Sequence, residues 1–588
     1  MTSKPLAKGG EFLLREALGS RVFTPEDFSA EQRQIAETTE AFVSKEILPD
    51  LERLEEPDFE LLLQKLRRCA ELGLFLVDIP EEYGGLELDK ATSMLVAEKI
   101  GPTGSFAISS SGQTGIGSLP LVYYGTAEQK ERYLGKLTSG EWIGAYCLTE
   151  PDCGSDPLSA RTTATLSADG SCYLLNGVKQ FITNAAFADL FTVFAKIDGK
   201  HFSAFLVERG MAGLSIGKEE KKLGLKGSST AQVVLENVRV PVGNLLGEVG
   251  KGHKIAFNVL NVGRLKLSAT VVGAAKGAFG EGARYAAERK QFGQTLGSFG
   301  AIREKLADTA SLLFAAESLL YRIAGLLDER IATLDRSGDD YYTRYQQAIE
   351  EYAGECAIAK VFCSNALARV ADEALQIHGG YGYIQEYPVE RYYRDQRINR
   401  IFEGTNEINR LLIPTLLLRR ADSGLLDLWD QVRGAQGELH SEGIEEAGGA
   451  SPFGAEFFLL ARLKKIFLLL LGAVESQRQE QELLLALGDM AIDIFALESA
   501  LLRADQGWSS ASERKQGLLQ AAVKSLAFEL AGQVQAAAGR CAAYGVQGAE
   551  LPALQKTIAC LGAHPVTGLL AAKQQLAAAA TESGGYMF

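Results

Sequence analysis

The spacing of apolar residues along this chain changes period twice, and the changes divide it. Helical spacing runs from Ala30 to Ile47, from Phe59 to Leu72 and from Lys90 to Ile100. Thr24, Pro25, Glu26 and Asp27 form a helix start, with acids where the positive end of a helix dipole favours them. From Tyr173 to Glu248 the period drops to two, in β-rich runs (YLLNG, LFTVFAKI, FSAFLVER, AQVVLENVRV) separated by Gly, Asp and Asn turns. Helical patterns return over Ala256 to Arg289, Phe299 to Leu334 and Tyr342 to His378, with the length and spacing of an antiparallel bundle. Beyond Arg420, Gly437 to Ala450 is acidic and Gly-rich, the composition of a mobile linker. An Ala- and Leu-rich helical pattern then covers Glu456 to Ser583, broken at Gln506 to Ser512 and near Gly545 to Pro552. The expected fold is mainly α with an inserted β-domain. Its parts are an all-helical domain over 1–144, a central β-domain over 145–250, a helical bundle over 251–420, a linker over 421–455 and an additional all-α domain over 456–588.

Composition narrows the class. A chain of 588 residues, 46% hydrophobic, fills several cores, and Lys+Arg 60 against Asp+Glu 74 gives a net charge of −14, opposite in sign to what phosphate neutralisation on nucleic acid needs. The eight cysteines are spread singly, with neither CxxC pairs nor a His cluster to complete a zinc site, so reduced, mostly buried thiols and no metal are expected. The first twenty residues match neither a secretory signal nor a transit peptide, and a cytoplasmic location is expected. No uninterrupted run reaches the roughly 20 apolar residues of a spanning helix. The nearest, Phe457 to Val474, is broken by Arg462, Lys464 and Lys465; packing in the last domain is the favoured reading over contact with a membrane surface.

Several stretches carry candidate chemistry, each beside a plainer reading. Glu403 follows Ile401 and Phe402 and precedes Gly404; desolvation there raises a carboxyl pKa toward neutrality, where a general base works best, while the plainer reading is a first-turn acid at a helix N-terminus. Ile108 to Pro120 is unusually small-sided, which suits a neighbouring helix or a ligand tail equally. The loop Ala145 to Asp156 (AYCLTEPDCGSD) is dense in backbone donors and hydroxyls, as a phosphate cradle or an ordinary turn would be. His378 and His253 are read as packing or capping groups first.

Together, QIHGGYGY (Gln376 to Tyr383) and RIFEGTNEINRLLI (Arg400 to Ile413) resemble the signature of the acyl-CoA dehydrogenases, flavoenzymes of fatty-acid β-oxidation. The resemblance implies that Glu403 is the base that removes the α-proton of an acyl-CoA thioester. Some relatives carry the base on another helix beside an Arg matching Arg264, but the neighbour here is Gly263. Tyr146 to Ser155 matches the element that wraps the isoalloxazine and pyrophosphate of FAD, which implies contacts from Tyr146, Leu148, Thr149, Gly154 and Ser155. Phe181, Ile182 and Thr183 match a second flavin element, with Phe181 where many relatives have Trp. Arg289, Gln291 and Phe292, and Gln376, Gly379 and Gly380, match elements that complete the FAD site of a neighbouring subunit; Thr405 and Glu407 are cofactor positions as well. No GxGxxG opens a helix after a strand, so a Rossmann site is not expected.

On the same resemblance, Ser155, Asn261, Arg264 and Gly404 contact substrate. Gly112 and Ile108 match the pocket base, where loss of side chains would deepen the pocket for long acyl chains. The extra C-terminal domain resembles the very-long-chain subgroup, which implies a homodimer with FAD sites completed across its interface. The reaction implied is α,β-dehydrogenation of long-chain acyl-CoA to the trans-2-enoyl-CoA. The α-proton goes to Glu403, the β-hydrogen to the flavin, and the electrons onward to an electron-transfer flavoprotein. Two alternatives are an acyl-CoA oxidase and a scaffold protein that retains the fold.

Overall fold

A computed structural model describes residues 6–338, 340–437, 451–564 and 566–588. Local signals set the element ends. Asp89 caps the helix Lys90–Ile100 through its carboxylate on Thr92 N (2.7 Å), and Ser29 and Gln32 form a reciprocal capping box on Ala30–Phe42. The described residues divide into two compact units, one holding those of 29–273 and 331–350, the other those of 6–28, 274–330, 351–437, 451–564 and 566–588.

The first unit joins the early helices to a single eight-stranded sheet. Its strands are β1 Gly144–Cys147, β2 Thr163–Leu166, β3 Cys172–Thr183, β4 Leu190–Ile197, β5 His201–Glu208, β6 Leu214–Ile216, β7 Thr230–Pro241 and β8 Leu245–Leu246. They lie in the order β6-β7-β3-β2-β4-β5-β8, with β1 parallel to β4. The expected alternation appears in β7, where Ala231, Val233, Leu235, Val238 and Val240 point into the core that Phe191, Val193, Phe205 and Val207 fill from β4 and β5. Among the early helices, the buried side chain of Asp78 accepts from Lys90 Nζ (2.5 Å), Lys266 Nζ (3.1 Å) and Ser93 Oγ (2.6 Å).

The second unit is helical. The chain expected as one helix from Tyr342 to His378 is two, Tyr341–Glu351 and Ala353–His378, broken at Tyr352 (φ −107°, ψ 26°). The break is tertiary in origin. Tyr352 is buried with its hydroxyl on Ala7 O (2.7 Å), whereas residues 341–350 belong to the first unit, where Gln346 Nε2 donates to Tyr123 O (2.8 Å).

Residues 6–28, expected within the N-terminal domain, instead belong to the second unit. Gly10 N donates to Glu355 Oε1 (2.7 Å), Val22 N to Gln506 Oε1 (2.7 Å), and the Phe28 ring meets Tyr321 edge-on at 4.8 Å. The expected linker 421–455 also needs correction, because Leu428–Gly437 is a helix whose Leu428, Val432 and Ala435 recur on one buried face. Within that span, residues 438–450 lie outside the described residues.

Two helices, Gly252–Glu288 and Gly300–Ile331, have the length and composition of membrane spans, a reading the sequence patterns did not raise; 89% of each apolar window is buried in the protein. The Phe457–Val474 segment forms most of the helix Gly454–Ala473 and is packed inside the second unit. Its Lys464 is paired with Glu498 (2.5 Å), which also receives Arg322 (2.6 Å).

The C-terminal helices bear directly on Asn406–Asp422. Pro414 lacks the N–H that would bond Arg410 O, and at that bare carbonyl the facing helix Gln481–Trp508 presents Gly488, where a Cβ would fall inside contact distance. One residue on, Asp489 takes Arg410 in a two-bonded fork (2.6 and 2.5 Å). Gly488→Ala is therefore expected to destabilise by about 1–3 kcal/mol through overpacking, read as a lower urea midpoint.

Candidate active site

Buried charge shapes the cofactor-like loop of the first unit. Glu150, 6% exposed, accepts from Arg161 N (2.6 Å), Thr162 N (3.1 Å) and the wholly buried Lys179 Nζ (2.7 Å), which also reaches Leu148 O (3.3 Å). Burial alone would raise the Glu150 carboxyl, but the Lys179 ammonium and the donors around it outweigh that and hold it below the usual range. Glu150 and Cys153 exchange backbone bonds (2.9 and 3.1 Å), and Gln180 N donates to Thr149 O (2.9 Å). Tyr146 and Leu148 are buried in this scaffold, Thr149 is half-buried, and Gly154 and Ser155 are exposed at its tip. Lys179→Met would leave a buried carboxylate without its cation, and loss of folded-state stability of about 3–5 kcal/mol is expected, read by urea unfolding.

A slip of register between Lys179 and Ile182 in the β3–β7 ladder puts Phe181 at φ 58°, and its ring stands 60% exposed. Ile182 is buried beneath it and Thr183 half-buried beside it. Asn184, also left-handed (φ 65°), donates to Ser109 O (3.1 Å) and so ties the strand end to the helix Ser105–Gly112. A Cβ on Gly112 would meet Asn184 Nδ2 at 3.3 Å and Thr183 Cγ2 at 3.5 Å, so the small residue there also admits this strand end. Ile108 is half-buried one turn earlier. On the helix Gly252–Glu288, Arg264 and Asn261 are both buried, with Nη1 on Oδ1 at 2.9 Å.

In the second unit, two stretches far apart in sequence meet at an open cavity of about 590 Å³. Arg289 and Gln291 line it from one side, and Gln376, Gly379 and Gly380 from the other. Lys290–Gln291 and Gln294–Thr295 pair as a short hairpin, turned by Phe292 (φ 50°) and Gly293 (φ 80°), which leaves Phe292 92% exposed. At Gly379 and Gly380 an added Cβ would meet nothing within 4 Å, so the backbone there stays approachable. His378 packs here: its ring stacks on Tyr285 at 4.0 Å, Nδ1 lies 2.8 Å from Ala374 O, and burial lowers its pKa.

Glu403 sits in the turn before Asn406–Asp422. Its backbone is left-handed (φ 56°), as is that of Gly404 (φ 79°), and its Oε2 is shielded from solvent. Thr405 caps the following helix, accepting from Ile408 N (3.2 Å), and Glu407 is exposed in its first turn, its carboxyl held low by its own backbone N–H at the helix start. Two groups that the sequence did not single out grip this turn. Lys360 Nζ donates to Gly404 O (2.8 Å) and Asn406 Oδ1 (2.7 Å), and Asn409 Nδ2 to the carbonyls of Gly404 (2.8 Å) and Thr405 (3.0 Å).

Among the described residues only eight non-glycines have positive φ, and three of them are Phe181, Phe292 and Glu403. Bulky side chains in that region cost free energy and persist where the surroundings hold them, in tight turns as well as at functional positions. In the first unit the exposed Phe181 ring and the backbone-rich loop, and in the second unit, taken by itself, the open glycine cavity and the exposed Phe292 ring, each offer apolar walls and backbone donors of the kind a large planar, phosphate-bearing cofactor such as FAD requires. The residues present fit that group.

Comparison with known proteins gives consistent findings. Family models described as acyl-CoA dehydrogenase N-terminal, middle and C-terminal domains match residues 29–141, 145–238 and 250–418, and a second acyl-CoA dehydrogenase C-terminal domain model matches 462–551. A probable acyl-CoA dehydrogenase of Bacillus subtilis is 46% identical over 89% of this chain and 88% of its own. The mitochondrial very long-chain specific acyl-CoA dehydrogenase of Homo sapiens is 40% identical over 62% of this chain and 53% of its own. The crystal structure of an acyl-CoA dehydrogenase complexed with FAD from Bacillus anthracis superposes with a TM-score of 0.96 at 44% identity, covering 99% of this chain and 100% of that one.

Proposed function

The chain belongs to the acyl-CoA dehydrogenase family, FAD-dependent oxidoreductases acting on acyl-CoA, and on that premise we propose that it α,β-dehydrogenates long-chain acyl-CoA in fatty-acid β-oxidation with Glu403 as base. The observation that carries the reading is the left-handed backbone at Glu403, Phe181 and Phe292 together. Bound FAD supplies the two-electron acceptance that no side chain of this protein offers.

The chain's own groups do the rest. Tyr146, Leu148, Thr149, Gly154, Ser155 and Thr183 hold the cofactor, with Phe181 as an apolar wall that keeps water from its face. Asn261, Arg264 and Ser155 hold the CoA portion. The Glu403 N–H donates to the thioester carbonyl, where negative charge develops as the α-proton leaves, and the carboxylate takes that proton. Arg289, Gln291, Phe292, Gln376, Gly379 and Gly380 complete the cofactor site of a second copy in a homodimer; their cavity in the second unit is open, which supports that role. Electrons leave to an electron-transfer flavoprotein. The likeness to very long-chain specific relatives supports the chain-length preference.

The test is anaerobic addition of palmitoyl-CoA and of hexanoyl-CoA to the holoenzyme while the visible absorbance of the flavin is followed. Bleaching with palmitoyl-CoA several times faster than with hexanoyl-CoA is expected. Faster bleaching with hexanoyl-CoA removes the long-chain preference, and bleaching with neither removes the dehydrogenation. Vigorous peroxide formation in air without an added acceptor identifies an oxidase instead.

A further inference from the structure

Burial of a lysine ammonium is costly unless its protons are all well placed, so a wholly buried lysine marks a position where its bonds matter. Among the described residues, two lysines are 0% exposed, Lys179 and Lys360. Each is bonded to one of the loops that carry predicted site residues, Lys179 to the loop of Leu148 and Glu150, Lys360 to the turn of Glu403.

We infer that Lys360 is a positioning residue for Glu403, holding the left-handed turn from which the carboxylate acts; this rests on the reading of Glu403 as the base. A carbonyl oxygen has two lone pairs, and those of Gly404 are taken by Lys360 Nζ and Asn409 Nδ2, both at 2.8 Å. The peptide plane that follows Glu403 and Gly404 is thereby fixed from two directions. The second bond of Lys360 goes to Asn406 Oδ1 (2.7 Å), whose amide donates in turn to Ser364 Oγ (3.0 Å) and Asn365 Oδ1 (3.2 Å). Lys360, Ser364 and Asn365 all lie on the helix Ala353–His378, so one rigid element grips the turn on both sides of Thr405. Two consecutive residues at φ 56° and 79°, the first carrying a side chain, need such a grip to stay in one conformation. The Lys360 ammonium bonds a backbone carbonyl and a side-chain acceptor at once and so locks the turn to the helix, beside the Asn409 amide that bonds two carbonyls of the same turn.

The experiment separates proton removal from substrate binding and from redox chemistry. A 3-thiaacyl-CoA, with sulfur in place of the β-carbon, has an α-proton to lose and no β-hydrogen. In D2O, deuterium uptake at its α-carbon, read by mass spectrometry, reports the base alone, and calorimetry reports binding. For the holoenzyme with Lys360→Met, exchange is expected to fall about tenfold or more while binding stays within about threefold, the pattern of a displaced base. A variant that exchanges at the wild-type rate, or that loses exchange and binding by the same factor, overturns the proposal. If Lys360→Met does not fold, Asn406→Ala removes the ammonium's side-chain acceptor and carries the same comparison, with the same two overturning outcomes. Glu403→Gln is run beside them: exchange abolished there with Lys360→Met unaffected sinks only the Lys360 inference. Exchange retained in Glu403→Gln overturns the base reading, and the Lys360 inference with it.

Discussion

Glu403→Gln is expected to leave the flavin oxidised when palmitoyl-CoA is added without oxygen, with the reduction rate down by about 10²–10⁴-fold, the worth of a well-placed general base. Glutamine keeps the shape of the side chain and its bulk in the turn, so cofactor content and the visible spectrum before substrate should match wild type. What it lacks is an oxygen able to take a proton from carbon. The turn's geometry depends on the backbone carbonyls of residues 404 and 405 and on Lys360 and Asn409, all of which the substitution keeps. A variant that bleaches at the wild-type rate would place the base elsewhere. The helix position beside Arg264 that serves some relatives is occupied by Gly263 and has no group to offer.

The second large effect is on stability. Asp78→Asn is expected to destabilise the protein by about 3–5 kcal/mol, because it leaves Lys90 and Lys266 buried without the carboxylate that compensates them both. Burial by itself would raise the Asp78 carboxyl, yet the two ammonium groups dominate and hold it well below the usual carboxylate range. A carboxyl with a depressed folded pKa stabilises at every pH above its unfolded value, about 3.9, and loses that contribution as pH falls through the folded pKa. Urea unfolding at pH 7 should show the full deficit in the variant, and the deficit should shrink only under strong acid. An unchanged midpoint at pH 7 would mean that the lysines find other compensation. Lys266 lies two residues from Arg264 on the same helix, so melting of this cluster is also expected to weaken CoA binding.

The catalytic candidates were visible in the sequence because each is part of a short contiguous motif. EGT presents Glu403, TEPxxGSD presents Thr149 and Ser155, and QIHGG presents Gln376 and the paired glycines. Their supports were not visible, since those act across long stretches of chain. Lys360 lies 44 residues from the carbonyl it holds and Lys179 29 from Glu150, with no local pattern to mark either. Each reads in isolation as a solvated charge. The signal available was weak: a lysine inside an otherwise apolar helix for Lys360, and inside a β-rich run for Lys179.

The sequence by itself determined the class of each region and many of its helices and strands, since period, caps and turn residues are local properties of ten or so neighbours, and Lys90–Ile100 begins and ends where its pattern says. It determined the family too, through ordered motifs. Only the tertiary structure decided that residues 6–28 belong with the second unit, that the helix after Tyr341 breaks at Tyr352, and that residues 428–437 are helical. It alone put Phe181 and Glu403 into left-handed backbone, whereas Phe292 takes that conformation in a local two-residue hairpin turn. The reason is energetic. Local preference among backbone regions amounts to about 1–2 kcal/mol per residue, and buried hydrogen bonds and packing supplied by distant parts of the chain exceed it at just the positions where a side chain must be aimed.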